Sequence, residues 1–209
     1  MTLDAAAART FFSELLRQIE LHQVLLDRLD AVAGDGDHGA TMVLGMRAVV
    51  TAQREDASLP ELLRLAAEAF SSVGGSIGPL WGTALLRAAR AAEERTGADV
   101  ENVAVMLTEA VQGLRDRGRS ELGDKTLLDV MEPAAVAFAA AVRSGATGPK
   151  AIDCALEAAQ QGLAESARLP ARRGRARRLQ ARSVGVDDPG AASACLAWET
   201  AARVAAAAV

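Results

Sequence analysis

Aromatic side chains make up only 3% of this chain of 209 residues, and tyrosine is absent. A core built without aromatics must be filled by small and aliphatic groups. Half of the residues are apolar, chiefly Ala, Leu and Val. Ala and Leu favour helix, so the composition leans helical before any pattern is considered. Basic excess is also missing: the net charge is −4, and only Lys125 and Lys150 are lysines. That removes the electrostatic footprint expected of a general nucleic-acid binder. Two cysteines, Cys154 and Cys195, stand alone in alanine-rich surroundings with no disulfide or metal spacing, and are expected as buried thiols. No apolar run reaches the ~20 residues a membrane-spanning helix needs. The first residues, MTLDAAAART, lack the basic and apolar regions of a signal peptide. A cytoplasmic location is the resulting expectation. Neither a P-loop nor a dinucleotide fingerprint occurs. Strict period-two alternation, the mark of a half-buried strand, is nowhere sustained.

What remains is helical period almost everywhere, organised as one domain over residues 1–209. Phe12, Leu15, Leu16, Ile19 and Leu26 mark a helical stretch over about 4–32, with a break expected near 21. A second helix is expected over about 38–53. Ser58-Leu59-Pro60-Glu61 announces a third, with Ser58 as cap, Pro60 in the first turn and Glu61 completing a capping box. It should end at Gly74-Gly75. Further helices are expected from Pro79 to about 95, from Asp99 to Gly118, and over about 126–143, 149–168 and 190–207. The fold class is therefore all-α, with about eight helices and short connections. Four connections carry glycine beside polar residues: 34–39, 74–79, 118–125 and 171–190. In an up-and-down bundle alternate loops lie at one end, so these four can share a rim.

The sharpest chemical signal is Leu29-Asp30-Ala31-Val32-Ala33-Gly34-Asp35-Gly36-Asp37-His38-Gly39. Three carboxylates fall within eight positions, two of them in a turn that glycine allows to fold back tightly. Such a cluster repels itself unless a cation sits among the oxygens, and hard oxygen ligands suit magnesium or calcium. An EF-hand is excluded, because the twelfth residue from Asp35 is Met46 and not Glu. Helix capping would need one acid, not three. Magnesium leaves coordination positions for phosphate, so Asp30, Asp35 and Asp37 are the candidate metal ligands. A helix opening directly behind the turn would aim the N–H groups of His38, Gly39, Ala40 and Thr41 at an anion, with the His38 ring as a further donor. Gly74-Gly75-Ser76-Ile77-Gly78-Pro79 repeats the device more weakly, since a plain helix–helix turn has the same composition. Trp81 behind it is expected in the core. Arg172, Arg173, Arg175, Arg177, Arg178 and Arg182 form a basic run ahead of Asp187-Asp188-Pro189-Gly190. Such a run is usually a solvated face, yet a bound polyphosphate needs counter-charge, and arginine supplies paired donors to it.

Taken together, Leu29 to Met42, Ser72 to Thr83, Gly123 to Asp129 and Ala171 to Ser193 resemble the nucleotide-binding L subunit of dihydroxyacetone kinase. The motifs follow that family's order and extend over essentially the whole chain. A related group that phosphorylates fatty acids usually has Thr where His38 stands, which favours the dihydroxyacetone branch. The resemblance implies an antiparallel eight-helix barrel holding ADP or ATP at one rim. Mg2+ would bridge Asp30, Asp35 and Asp37 to the phosphates. His38 to Thr41, Gly75, Ser76, Ile77, Gly118, Leu127, Arg175, Asp188, Pro189 and Gly190 would surround the nucleotide. It further implies a separate K subunit that carries dihydroxyacetone. The phosphate source would be a phosphohistidine protein of the phosphoenolpyruvate-driven phosphotransferase system or free ATP. No catalytic base is assigned to this chain. Departures from the family pattern are Ile77, Leu127 and Val186, where a hydroxyl residue, Met and His are common. The expected function is thus a phosphotransferase subunit. A kinase subunit for another keto-sugar such as a tetrulose, or a non-catalytic nucleotide sensor, fits the same residues.

Overall fold

In the computed structural model, residues 4–95 and 99–207 are described. Among them, eight α-helices follow one another: α1 (Ala5–Ala31), α2 (His38–Ala52), α3 (Leu59–Ser71), α4 (Ile77–Glu93), α5 (Val100–Gly118), α6 (Leu128–Arg143), α7 (Gly148–Ala167) and α8 (Pro189–Ala207). A short 3-10 segment, Arg175–Ser183, lies between α7 and α8. Each helix packs on its sequence neighbours, and α8 packs back on α1, so the ring closes. This is the all-α, up-and-down architecture expected from the sequence.

Local chemistry accounts for the boundaries. Asp4 caps α1 by accepting the Ala7 N–H at 2.8 Å, and Asp99 caps α5 through Asn102 N–H at 2.8 Å. The Ser58–Glu61 capping box is formed, with Ser58 N–H donating to Glu61 at 2.9 Å. The expected break near residue 21 does not occur. Phe12, Leu15, Ile19 and Leu26 are all buried along one stripe of a continuous 27-residue helix, which has no glycine or proline to interrupt it. Helix α3 stops at Ser71, short of Gly74-Gly75, and α4 starts at Ile77 rather than Pro79, because proline fits the first turn of a helix.

Alanine sets the spacing between helices. Ala84, Ala88, Ala89, Ala91 and Ala92 are buried on α4, and Ala151, Ala155 and Ala159 on α7. Phe138, Ile19, Leu26, Leu62, Leu114 and Leu128 fill the middle. One contact depends on glycine. Pro133 cannot donate to the Asp129 carbonyl, and a Cβ on Gly162 of α7 would collide with that oxygen. The backbone of α7 therefore sits against the gap that proline opens in α6. Cys195 is buried and Cys154 partly so. Among the described residues, no helix is long and apolar enough to cross a membrane.

Because alternate connections share an end, the α1–α2, α3–α4, α5–α6 and α7–α8 connections crowd one rim. Among the described residues, all three non-glycine residues with positive φ, Arg119 (48°), Lys125 (61°) and Gln180 (50°), belong to these connections. Strained backbone of this kind gathers where a site is held in shape.

Candidate functional site

Asp30 stands in the last turn of α1, and Asp35 and Asp37 in the turn that follows. One carboxylate oxygen from each lies within 4.8 Å of the others. The chain folds back because Gly36 adopts a φ of 75°, and the Gly36 and Asp37 N–H groups both donate to Asp30, at 2.8 and 3.2 Å. Any side chain at Gly34 would collide with the Asp30 carboxylate. A capping role for Asp37 is excluded, since its side chain caps nothing. That task falls to Asp27, which reaches across from α1 to accept the Ala40 N–H at 3.0 Å. Gly39 makes this approach feasible, because a Cβ there would collide with the Gln23 carbonyl oxygen. The Asp37 carboxylate is thus left to face Asp30 and Asp35.

The electrostatics suit a cation. Desolvation, and then the neighbouring Asp35 and Asp30 charges, push the Asp37 carboxyl above its ordinary value. Asp35 is held down at about 2, chiefly by its hydrogen bond from Arg175. Crowded carboxylates of which one resists ionisation are the donor set a divalent ion relieves.

Of the four α2 N–H groups expected to face an anion, two are already used. Ala40 donates to Asp27, and Thr41 to the Asp37 carbonyl at 2.8 Å. Those of His38 and Gly39 have no partner among the described residues. The His38 ring is also committed. Its Nε2 lies 3.0 Å from Ser193 Oγ, and the Ser193 hydroxyl donates to the Gly190 carbonyl at 3.0 Å. A carbonyl only accepts, so Nε2 must donate to Ser193 and Nδ1 carries the lone pair. Burial lowers the His38 pKa and keeps the ring neutral. His38 therefore links the acidic turn to α8, with its ring N–H engaged by Ser193.

Asp188 opens α8, accepting the Ala191 N–H at 2.9 Å, and desolvation raises its pKa to about 6. Gly190 lies against the Leu127 side chain, so the DPG turn and Leu127 are neighbours. Gly118 ends α5 beside Leu80 of α4. Gly75 has a φ of 77° and open space where a Cβ would stand, and Ser76 caps nothing through its side chain. Ile77 turns its side chain into the core, leaving only its backbone toward the rim. The structure thus joins the acidic turn, Arg175, Leu127 and Asp188–Gly190 by contact. Among the described residues, no side-chain hydrogen bond or ion pair ties the Gly75–Ser76 turn to them. Trp81 packs against the core with its indole N–H buried and unpaired.

Lys125 was not expected here as more than part of a motif. Its side chain is buried, and Nζ donates to the carbonyls of Ser166, Ala167 and Leu169 at 3.1, 2.9 and 3.1 Å. One ammonium closes the end of α7, where helix carbonyls lack partners and the dipole is negative. Asp124 accepts from Arg173 at 2.9 Å, and its carbonyl from Arg172 N–H at 3.0 Å. The 171–190 connection is therefore tied to 124–125 by its start and to Asp35 by Arg175. A pocket of about 20 Å³ among Leu29, Val32, Lys125, Leu179, Asp188 and Pro189 lies under it. A roomier cleft, about 260 Å³, lies elsewhere, between α5 and α6 around the Arg115–Glu132 ion pair, and holds none of the rim residues.

Residues 32–203 match the DAK2 domain. The chain belongs to the DAK2 domain family. This DAK2 chain is 34% identical over 199 residues to the ADP-binding subunit DhaL of PEP-dependent dihydroxyacetone kinase 1 from Listeria innocua, covering 94% of each chain. It is 39% identical over 173 residues to L-erythrulose 1-kinase of Mycolicibacterium smegmatis, but spans 80% of its own length and only 30% of that enzyme. The fold resembles that of the C. freundii dihydroxyacetone kinase in complex with AMP-PNP and Mg2+. The TM-score is 0.73 and the identity 24%, over 97% of this chain and 34% of that one.

Proposed function

We propose that this DAK2 chain is the nucleotide-holding subunit of a dihydroxyacetone kinase, active only with a separate K subunit that carries the acceptor. The observation that carries it is the triad Asp30, Asp35 and Asp37, converged within 4.8 Å, with Asp37 released from capping by Asp27. These residues would hold Mg2+, which supplies charge neutralisation on the phosphates of ADP or ATP. The residues of this chain do the positioning. The free N–H groups of His38 and Gly39 face the anion at the head of α2. Arg175 sits on Asp35 and is within reach of the same phosphates, where a guanidinium makes paired bonds. Leu127 and Asp188–Gly190 flank the base, and Gly75 to Ile77 and Gly118 complete the rim. A pocket of about 20 Å³, room for about one water, lies between the Arg175–Ser183 strap and Asp188–Pro189. No general base is assigned, since phosphoryl transfer rests mainly on positioning and charge stabilisation.

The Listeria relative's name favours the phosphoenolpyruvate-dependent form, in which bound ADP is recharged in place by a phosphohistidine protein. A second acceptor is favoured by a specific observation: three relatives at 34–39% identity are erythrulose kinases. A nucleotide-sensing module without catalysis makes a different demand. The deciding experiment mixes the chain with Mg2+, ATP and dihydroxyacetone or erythrulose, with and without a purified K subunit. Transfer only in the mixture supports the proposal. Turnover by the chain alone, or none with any K subunit while ADP·Mg2+ still binds, sinks it. ADP surviving gel filtration of the purified chain points to the phosphohistidine-dependent form.

A further inference from the structure

We infer that Lys125 is the positioning residue for the base side of the nucleotide site. Its buried ammonium fastens the chain on both sides of the Arg175–Ser183 strap to the turn that carries Leu127, and so holds Leu127 against Asp188–Gly190. This rests on the proposed nucleotide-holding role, and it gives Lys125 a task other than phosphate binding.

A lysine beside a nucleotide ordinarily meets phosphate, as a point charge on a flexible stem. Lys125 is built against that use. It is 3% exposed. Its Nζ donates to the carbonyls of Ser166, Ala167 and Leu169. Carbonyls only accept, so the group is an ammonium with all three hydrogens committed. Asp129, Asp187 and Asp188 supply counter-charge. The residue also holds a φ of 61°, in the left-handed region that a side chain disfavours. Such a conformation persists only where its surroundings over-determine it. Here the Asp129 carboxylate accepts the Gly123 N–H at 2.5 Å and the Thr126 N–H at 2.7 Å. The Thr126 hydroxyl accepts the Leu128 N–H at 3.2 Å. The turn is thus wound around Asp129, the Lys125 stem leaves it for the end of α7, and Leu127 follows with its side chain buried.

The carbonyls that Lys125 grips are where the strap is moored. Ala167 ends α7, and its carbonyl accepts the Gly185 N–H at 2.8 Å as well as the ammonium at 2.9 Å. Gly185 lies past the strap and Leu169 ahead of it, so one charge holds the chain on both sides. Asp124 reinforces the grip. Its carbonyl accepts the Arg172 N–H at 3.0 Å, and its carboxylate accepts from the Arg173 side chain at 2.9 Å. The two sides also meet directly, since the Ser183 hydroxyl accepts the Ala171 N–H at 2.8 Å. Only a short run separates Gly185 from Gly190, where an added Cβ would stand 3.7 Å from the Leu127 Cβ. Both walls of the base side, Leu127 and Asp188–Gly190, are therefore set from one point. The phosphate side is set from another, by the convergence of Asp30, Asp35 and Asp37 and by the Arg175–Asp35 pair. The bonds that shape the acidic turn, to Asp30 and Asp27, do not involve Lys125. Loss of the ammonium should loosen the base walls and leave the acidic turn in shape.

The test compares ADP·Mg2+, which needs both sides of the site, with pyrophosphate·Mg2+, which needs only the phosphate side. Affinities are measured by calorimetry and release rates by stopped flow, on the full chain. Lys125→Met keeps most of the stem and removes the ammonium. Lys125→Gly removes it too, but suits the positive φ. Both should weaken ADP·Mg2+ by roughly tenfold or more, through faster release, and leave pyrophosphate·Mg2+ within about twofold of wild type. Phe138→Leu, in the middle of α6, is the control for lost stability. It should lower the melting temperature and leave the ratio of the two affinities unchanged. Arg173→Ala, at an exposed side chain, should weaken ADP·Mg2+ about threefold with the same selectivity. It carries the test if neither Lys125 variant folds, and an unchanged ADP·Mg2+ affinity there then overturns the inference. Parallel loss of both ligands in the Lys125 variants also overturns it, since Lys125 then only stabilises the barrel. So does wild-type ADP·Mg2+ affinity in Lys125→Gly, which hands the role to the backbone turn alone. Each of these outcomes leaves the proposed function standing. A wild-type chain that binds pyrophosphate·Mg2+ as tightly as ADP·Mg2+ has no base wall, which removes that part of the proposed function and this inference with it.

Discussion

Two glycine-rich turns open helices at the same rim, and they are built in opposite ways. In the acidic turn, Gly34 and Gly39 are where they are because something else occupies the space of a side chain: the Asp30 carboxylate and the Gln23 carbonyl. That turn is bonded throughout, by Asp30, Asp27, Arg175 and the His38–Ser193 link. In the α3–α4 turn, a side chain at Gly74 or Gly75 would meet nothing within 4 Å, and Gly75 serves only its φ of 77°. The first turn is a fixed cradle. The second is open, with Gly74, Gly75 and Ser76 exposed. Shared glycine content therefore conceals one turn bonded throughout and one left open.

The comparison breaks most visibly at the charges. Asp37→Asn and Asp35→Asn should each weaken ADP·Mg2+ binding at least a hundredfold with the helical fold kept, because Asn lacks the charge that makes coordination favourable. Calorimetry giving unchanged affinity in both would falsify the metal assignment. Next comes packing. Gly39→Ala drives a methyl group into backbone, which cannot yield as a side chain can, and should cost about 3 kcal/mol of unfolding free energy. Gly75→Ala meets only the strain of a positive φ and should cost about 1 kcal/mol. If chemical denaturation gives equal costs, the two turns are not built differently.

Arg175 sharpens the contrast at the cradle's edge. Arg175→Lys should weaken nucleotide binding clearly, roughly tenfold, since lysine has no paired fork, whereas Arg178→Lys should have little effect. Equal effects would make the run a general basic surface. The smallest effect concerns Asp188. Its folded pKa of about 6 lies above the ~3.9 of an unfolded Asp. Between these values the folded chain binds more protons, so this group's contribution to stability is greatest below about pH 4 and is lost as pH rises through 6. Asp188→Asn should flatten that part of the stability–pH curve, by up to roughly 2 kcal/mol. An unchanged slope between pH 4 and 6 would place the carboxylate in solvent.

These two turns also mark how far the sequence could be followed. Helices were legible wherever a local device declared them, such as the Ser58–Glu61 box or the Asp99 cap, and the ring of eight followed from their number and short connections. The triad was legible because its three acids fall within eight positions. What escaped were partnerships over distance. Asp27 caps α2 from thirteen residues upstream, Ser193 takes the His38 ring, and Lys125 closes α7. No spacing rule announces such pairs, since the tertiary fold alone brings them together. The expected break near residue 21 failed for the converse reason: a polar interval in the pattern is no obstacle when the neighbouring helices bury one continuous stripe.

Ring closure has a kinetic consequence. Around the ring, seven of the eight helix–helix contacts join sequence neighbours and can form as local hairpins, quickly and with little loop entropy. The eighth, α1 with α8, joins the two ends of the described chain, and its closure entropy grows only as the logarithm of the separation. The contact comes late, and both cross-links that finish the cradle, Asp35 to Arg175 and His38 to Ser193, lie along this seam. The barrel can therefore be nearly complete in helix content while its acidic turn is still unlatched. A ligand that bridges the seam acts as a clasp, slowing the reopening of the ring more than it hastens its formation.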